Sequence, residues 1–130
     1  MAPLPPPSPL PEYVYKITPS APPTPIPEQY PLSDLDQQDG FVHLSASWQV
    51  PITASLFFKD TPSFHILKLR LARFDAAAVK WDEVDGTNGC PHLYGNFGAD
   101  DVVSVREFRR GEGQTWQEVF EGEAERGWLE

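Results

Sequence analysis

The sequence predicts an α+β protein in which short strands dominate and a few short helices complete the fold. Residues 13–18, 64–71 and 102–108 alternate along the chain as strands with one buried face do. A longer apolar stretch, residues 48–58, instead repeats its large side chains at helical spacing. Because 130 residues with 15 prolines leave room for one core, we expect a single folded domain.

A proline-rich leader is predicted to precede that domain. Residues 1–11 contain six prolines and no periodic apolar pattern, so residues 1–12 are expected to be disordered. A PxxP ligand for an adaptor domain is the alternative, although no arginine flanks the prolines. The domain itself is predicted to span residues 13–110, and a second proline-rich stretch, residues 19–31, forms a loop after its first strand.

Turn and cap signals set the elements that follow. Asp39 and Gly40 predict a tight turn, followed by a strand at 41–44. Ser45 offers a hydroxyl cap ahead of the helix, and Pro51 suits its first turn. Beyond the strand at 64–71, the sequence predicts a helical turn at 74–78, a strand at 79–84, a flexible loop at 85–89, extended backbone at 91–95 and a last strand at 102–108.

Residues 111–130 are predicted to form an acidic C-terminal extension. From Glu112 onward this segment carries six glutamates against one arginine. Trp116, Val119 and Phe120 recur at helical spacing, so a short helix is expected from Thr115, with these side chains docked on the core.

Charge and composition narrow the classes of partner. A formal net charge of -9 opposes broad binding to nucleic-acid phosphates, which depends on Lys and Arg, so small-molecule or protein partners are favoured. The N-terminus shows no basic region followed by an uninterrupted apolar stretch, and no segment approaches membrane-spanning length. With a single cysteine, which fits a reducing compartment, a cytoplasmic location is expected.

Two of the three histidines lie in apolar, strand-like frames between turn signals. His43 is followed two residues later by Ser45, and His92 is followed two residues later by Tyr94. Because side chains two apart on a strand share a face, each pair could hold one ligand. A histidine and a hydroxyl can bond a sugar-like hydroxyl or an amide, and a histidine beside a tyrosine can clamp a planar ring. The plainer interpretation is that both are core histidines, and that their neighbours Ser45, Pro91 and Gly95 only mark the ends of secondary-structure elements.

Other chemistry has weaker support in the sequence. His43, Cys90 and His92 are ligand types that zinc accepts, but the spacing specifies no fourth ligand, so no metal site is predicted. Asp82 and Glu107 are candidate carboxylates in strands. His65 lies in the frame of the strand at 64–71 and is expected to be structural.

The two histidine motifs, Asp39-Gly40-Phe41-Val42-His43-Leu44-Ser45 and Pro91-His92-Leu93-Tyr94-Gly95, resemble the DUF952 family of uncharacterised small proteins. Tyr15-Lys16-Ile17, Gln49, Thr53, Phe58 and Lys80-Trp81 extend the resemblance over about residues 13–106. The family looks like a compact relative of the ADP-ribosyltransferase fold, which implies a split β-sheet that clasps NAD. This chain has Trp81-Asp82 where the family often shows Trp-Glu, and Cys90 where it often shows an aromatic residue.

The resemblance implies a role for each motif. His43 would contact the adenosine-side ribose, while the Leu44 backbone and Ser45 would hold the nicotinamide amide. Tyr94 or His92 would pack on the nicotinamide. His43 and His92 are thus the catalytic candidates, with Asp82 or Glu107 as the electrostatic partner.

From that resemblance we expect the chain to bind NAD or a related nucleotide and, if it is an enzyme, to transfer ADP-ribose. The alternative is a non-catalytic ligand-sensing or protein-interaction module on the same fold. The oligomeric state is left open.

Overall fold

Two antiparallel sheets and a few short helices form the part of the chain that the computed structural model describes, residues 3–84, 89–122 and 127–130. The three-stranded sheet has the order β2-β4-β7, where β2 is Tyr13–Thr18, β4 is Ser63–Arg70 and β7 is Val102–Arg109. The four-stranded sheet has the order β1-β5-β6-β3, where β1 is Pro3–Leu4, β5 is Val79–Asp82, β6 is Cys90–Leu93 and β3 is Val42–His43. The helices are α1 Asp34–Asp39, α2 Val50–Phe57 and α3 Trp116–Glu121, with 3-10 turns at Ser47–Gln49, Leu71–Arg73, Ala76–Ala78 and Ala99–Asp101. The predicted α+β class is confirmed.

Strands β2 and β4 of the three-stranded sheet are buried on both faces, and this gives the molecule three layers. On one face it packs with helices α2 and α3, in an apolar cluster of Tyr15, Ile17, Val50, Ala54, Phe64, Ile66, Phe108, Trp116, Val119 and Phe120. On the other face it packs against the four-stranded sheet, in a second cluster of Val14, Tyr30, Val42, Leu44, Leu67, Leu69, Leu93 and Phe97. Alternation along each strand sends successive side chains into different clusters, as for Val14 and Tyr15.

The two sheets join where β3 ends. Tyr15 and Ser45 form an isolated antiparallel bridge, with backbone N–H to carbonyl distances of 2.8 and 2.9 Å. Since Tyr15 belongs to β2 and Ser45 follows β3, this bridge fixes the separation between the layers at one corner. A split sheet of this kind leaves the far face of the four-stranded sheet outside both apolar clusters.

Several elements differ from the sequence predictions in ways that have a physical cause. Residues 34–39 form a helix: the Ser33 hydroxyl accepts the Asp36 N–H at 3.1 Å, and Gly40 closes it at φ 81. The Asp39-Gly40 turn is therefore a helix end, and β3 is shorter than predicted. The proline-rich leader, predicted to be disordered, supplies β1, because proline is tolerated on an edge strand.

Other predictions coincide with the structure or fall outside the described residues. Helix α3 is capped by Thr115, whose hydroxyl accepts the Glu118 N–H, and its apolar side chains dock on the core. Residues 85–88 of the predicted loop, and residues 123–126 of the acidic extension, lie outside the described residues. Among the helices that are described, none has the length and apolar character needed to cross a bilayer.

Candidate functional site

The register of the four-stranded sheet places Lys80, His92 and His43 in one row across three strands. His43 on β3 pairs with His92 on β6, and His92 pairs in turn with Lys80 on β5. Their neighbours Val42 and Leu93 also pair, but these point into the second apolar cluster. The histidines therefore occupy the face of the sheet that is turned away from the core.

Buried Asp82 holds His92 in place. Its Oδ2 lies 2.8 Å from His92 Nδ1 and 3.1 Å from the Tyr94 hydroxyl, and the side chains of Asp82 and His92 are 4% and 2% exposed. A carboxylate oxygen only accepts, so Nδ1 and the phenol both donate to it. Among the described residues, Nδ1 is the His92 ring nitrogen that makes a hydrogen bond, and Nε2 makes none.

The protonation of His92 follows from its surroundings. Burial lowers the pKa of His92, and the hydrogen bond to Asp82 offsets that effect only in part. Because the pKa of His92 lies below the ordinary value of about 6.5, the ring is neutral near pH 7. Its proton is then on Nδ1, and Nε2 has a lone pair. His92 is thus arranged as a hydrogen-bond acceptor or general base.

Phe41 fixes the plane of the His92 ring. The two rings stack with centroids 4.2 Å apart and an interplanar angle of 19°. The same phenylalanine contacts His43 at 4.6 Å and Tyr94 at 5.0 Å. Because close packing restricts the rotamers of a side chain, the stacked Phe41 ring holds the His92 ring, and with it Nε2, in one orientation.

His43 lies between two carboxylates of α1. Its Nδ1 is 2.6 Å from Asp36 Oδ1, and its Nε2 is 2.9 Å from Asp39 Oδ2. Both contacts are hydrogen bonds only when each ring nitrogen carries a proton, because carboxylates accept and do not donate. A ligand that bonds His43 must therefore displace Asp39, whose side chain is 34% exposed.

Asp36 connects this histidine to the core of the protein. It also accepts a 2.7 Å hydrogen bond from Lys16, and the His43 N–H at 3.2 Å. Burial raises the pKa of Asp36, but the hydrogen bonds and the charge of Lys16 outweigh it and lower this pKa to about 2. Burial lowers the pKa of Lys16, against the effect of Asp36. The pair anchors α1, and with it Asp39, beside His43.

Tyr94 forms the accessible part of the site. It is 40% exposed, and Lys80 Nζ lies 4.8 Å from its ring centroid. Desolvation, and then the hydrogen bond and charge of Asp82, raise the pKa of Tyr94, so it stays a phenol at neutral pH. One side of the site is thus an open aromatic ring beside a cation.

Ser45 and Leu44, the other predicted ligand contacts, are engaged elsewhere. Ser45 is 2% exposed and its hydroxyl lies 3.0 Å from that of Thr53 on α2. The Leu44 side chain is in the second apolar cluster, and its N–H donates to the Pro91 carbonyl at 3.1 Å. The structure brings His43, His92 and Tyr94 together, while Ser45 lies at the junction of the sheets.

Of two other candidates, Glu107 is separated from the histidines and Cys90 lies on the same strand as His92. Glu107 lies on β7 in the other sheet, where it contacts Arg109 at 3.1 Å and His65 at 3.9 Å, so the carboxylate beside the site is Asp82. Cys90 is buried on β6 and pairs in register with Asp82. Within the described ranges, no three His, Cys, Asp or Glu side chains are grouped as a metal would need.

Neither of two cavities in the described part of the chain is lined by His43 or His92. One of about 700 Å³ is bounded by residues 110–114 and by Asp60 and Pro62. A second, of about 620 Å³, runs beneath the leader and reaches Lys80.

Sequence reasoning missed Asp36, Lys16 and Phe41. Ser33 and Gly40 signal a helix between them, and that helix places Asp36 on the turn before Asp39. Nothing local to Lys16 indicates its partner, which lies 20 residues further along the chain.

Known proteins show similarity to this chain at the level of family and fold. Residues 25–105 match a family described as "Protein of unknown function (DUF952)". The crystal structure of protein CC0527 from Caulobacter crescentus is 23% identical, with a TM-score of 0.64 over 79% of this chain and 91% of that one. The solution NMR structure of the same protein is 22% identical, with a TM-score of 0.64 over 87% of this chain and 98% of that one. No curated protein matches the sequence significantly.

Proposed function

Since the chain belongs to the DUF952 family, whose function is unknown, we propose its function from the site: it binds NAD or a related nucleotide on the His43–His92 face. The single observation that carries this proposal is the buried Asp82–His92 pair, in which the carboxylate bonds Nδ1 of a neutral imidazole and leaves Nε2 as the nitrogen that can accept. Such a nitrogen accepts a hydrogen bond from a ribose hydroxyl or takes a proton from a nucleophile. The proposal also adopts the resemblance of the family to ADP-ribosyltransferases.

The other side chains supply complementary contacts. The exposed ring of Tyr94 packs on the nicotinamide or adenine ring, because planar rings stack favourably. Lys80, beside Tyr94, meets the negative charge of the phosphates. His43 donates to a ribose or phosphate oxygen that takes the place of Asp39.

As an enzyme, the protein transfers ADP-ribose. The bond between the ribose C1′ and the nicotinamide nitrogen breaks, and nicotinamide leaves with the electron pair. A bond forms from C1′ to the oxygen of water or of an acceptor hydroxyl, whose proton passes to His92 Nε2. Asp82 stabilises the resulting imidazolium through Nδ1.

Titration of the full chain with NAD tests binding. We expect a saturable change in tryptophan fluorescence, since Trp81 neighbours Asp82 on β5, and a shift of the His92 ring signals in NMR. His65→Gln is the matched control, because it removes an imidazole from the other sheet and leaves the site intact. The absence of a saturable signal at several millimolar NAD refutes the proposal.

A non-catalytic ligand-sensing or protein-interaction module is the second candidate, and the double engagement of His43 by Asp36 and Asp39 favours it. Nicotinamide release separates the two candidates. An enzyme releases nicotinamide from NAD and loses that activity in His92→Ala, whereas a binding module shows the same background with both proteins.

A further inference from the structure

The edge of the four-stranded sheet carries a feature that the proposed function does not use. In β1, Pro3 and Leu4 pair antiparallel with Asp82 and Trp81 of β5. On its other side β5 is already paired with β6. The leader is thus the element that covers this edge, and an uncovered edge presents a row of backbone groups to which another strand can pair.

Leu4 fits a notch made by a glycine. A Cβ added to Gly89 would lie 3.2 Å from Leu4 Cδ1 and 3.5 Å from the Trp81 carbonyl oxygen, so a larger residue would crowd the leucine. Gly89 has φ +100, a conformation that side chains other than glycine rarely adopt. The backbone carbonyl of Gly89 accepts a hydrogen bond from buried Gln49, which holds the notch in place.

The leader covers an apolar groove without filling it. About 620 Å³ remains between leader residues such as Leu10 and body residues that include Leu71, Phe74 and Trp81. Leu10 itself is 56% exposed. The leader is therefore only weakly associated with the β5 edge, because β1 has two residues and the groove beside it is not filled.

We propose that this edge and groove form a docking site for an extended, uncharged, proline- and leucine-containing segment of another protein, and that the leader occupies it in cis. Pairing to the β5 edge gives the segment its direction, and a leucine in the Gly89 notch gives selectivity. The chemistry of the occupant follows from the leader, since residues 1–11 carry no charged side chain in a chain of net charge -9. That net charge also opposes the approach of a second copy, which favours a different protein as the partner.

The test uses full-length protein and a fluorescent peptide of residues 2–11, which stands for the partner strand. Leu4→Asp places a charge in the notch and releases the leader, and Leu4→Ser is a milder second variant. We expect both variants to bind the peptide saturably in fluorescence anisotropy. Wild type should bind at least about tenfold more weakly, because the tethered leader competes at millimolar effective concentration. The same peptide with aspartate in place of Leu4 should bind none of the proteins.

The proposal fails if neither variant binds the peptide up to about 1 mM, a concentration comparable with that of a tethered segment. It also fails if wild type and the variants bind equally, because the peptide then uses another surface. Light scattering on the same samples tests whether a second copy of this chain binds the edge instead. If the variants form dimers and do not bind the peptide, the edge is a site for a second copy and the proposal is overturned. Circular dichroism confirms that each variant is folded.

Discussion

His43 and His92 lie directly opposite each other on neighbouring strands, with ring centroids 5.2 Å apart at an angle of 66°. The edge of one ring faces the other, and Phe41 contacts both. Yet the two imidazoles differ chemically. His43 has a carboxylate at each ring nitrogen, whereas His92 has a single buried carboxylate at Nδ1. Because of this difference, we expect His92 to accept a hydrogen bond from a ligand and His43 to donate one.

Asp82→Asn should lower the pKa of His92 further, because Asp82 raises that pKa through its hydrogen bond and charge. An amide also permits either tautomer of the ring, so Nε2 is no longer reserved as the acceptor. We expect NAD binding or nicotinamide release to fall at least about tenfold, a loss of about 1.4 kcal/mol. Titration of the ring by NMR checks the pKa, with Glu107→Gln as the carboxylate control. An unchanged His92 titration would show that Asp82 does not set it.

Tyr94 offers a ring and a hydroxyl, and substitutions separate them. Tyr94→Phe removes the donor to Asp82 but keeps the exposed ring. If the ring packs on the nucleotide, Tyr94→Phe should retain NAD affinity within about threefold, while Tyr94→Ala loses about tenfold, as stacking contributes about 1 kcal/mol. Calorimetry of NAD binding makes the comparison. Equal affinities for the Phe and Ala variants would remove the ring from the site.

Lys16→Met should destabilise the fold, because it leaves the buried carboxylate of Asp36 without its cation. Loss of one member of a buried pair costs about 3 kcal/mol. Lys80→Met is the matched control on an exposed lysine, with an expected change within about 0.5 kcal/mol. Urea unfolding of the two variants measures the difference. Similar midpoints would mean that His43 alone satisfies Asp36.

Asp36 also makes stability depend on pH in acid. Its pKa in the folded state is about 2, below the ordinary value of 3.8. The stabilisation, on the order of 2 kcal/mol, is complete above the unfolded pKa and is lost as pH falls from about 4 to about 2. Asp36→Asn lacks this dependence, so the difference in unfolding free energy between it and wild type should narrow over that range. A constant difference would indicate an ordinary pKa.

Gly98→Ala should be among the most destabilising single substitutions. A Cβ at this position would overlap the backbone carbonyl of Glu28, which cannot move as a flexible side chain does. We expect a loss of about 3 kcal/mol. Gly95→Ala provides the control three residues earlier, since a Cβ there meets no atom within 4 Å. Thermal unfolding of both variants distinguishes a local clash from a general effect of replacing glycine.

Local sequence patterns predicted much of the fold but little of how its parts meet. Alternation located β2 and most of β4 and β7, and it placed both histidines in extended frames. The pairing of His43 with His92 arises from tertiary register between segments 49 residues apart, which no short window contains. Helix α1 was missed because it is short and polar, although Ser33 and Gly40 mark its ends. Asp36 was missed with it.

The shared register of β3, β5 and β6 ties the chemistry to the core. Leu93 is buried in the second apolar cluster because His92 faces the other way. A slip of one residue in β6 would turn Leu93 out of the second apolar cluster and place the His92 imidazole in it, away from Asp82, which would destabilise the fold and dismantle the site. Chains that lose the histidine arrangement by a shift of this kind should therefore fail to fold, and inactive but stable variants must arise by substitution of individual side chains.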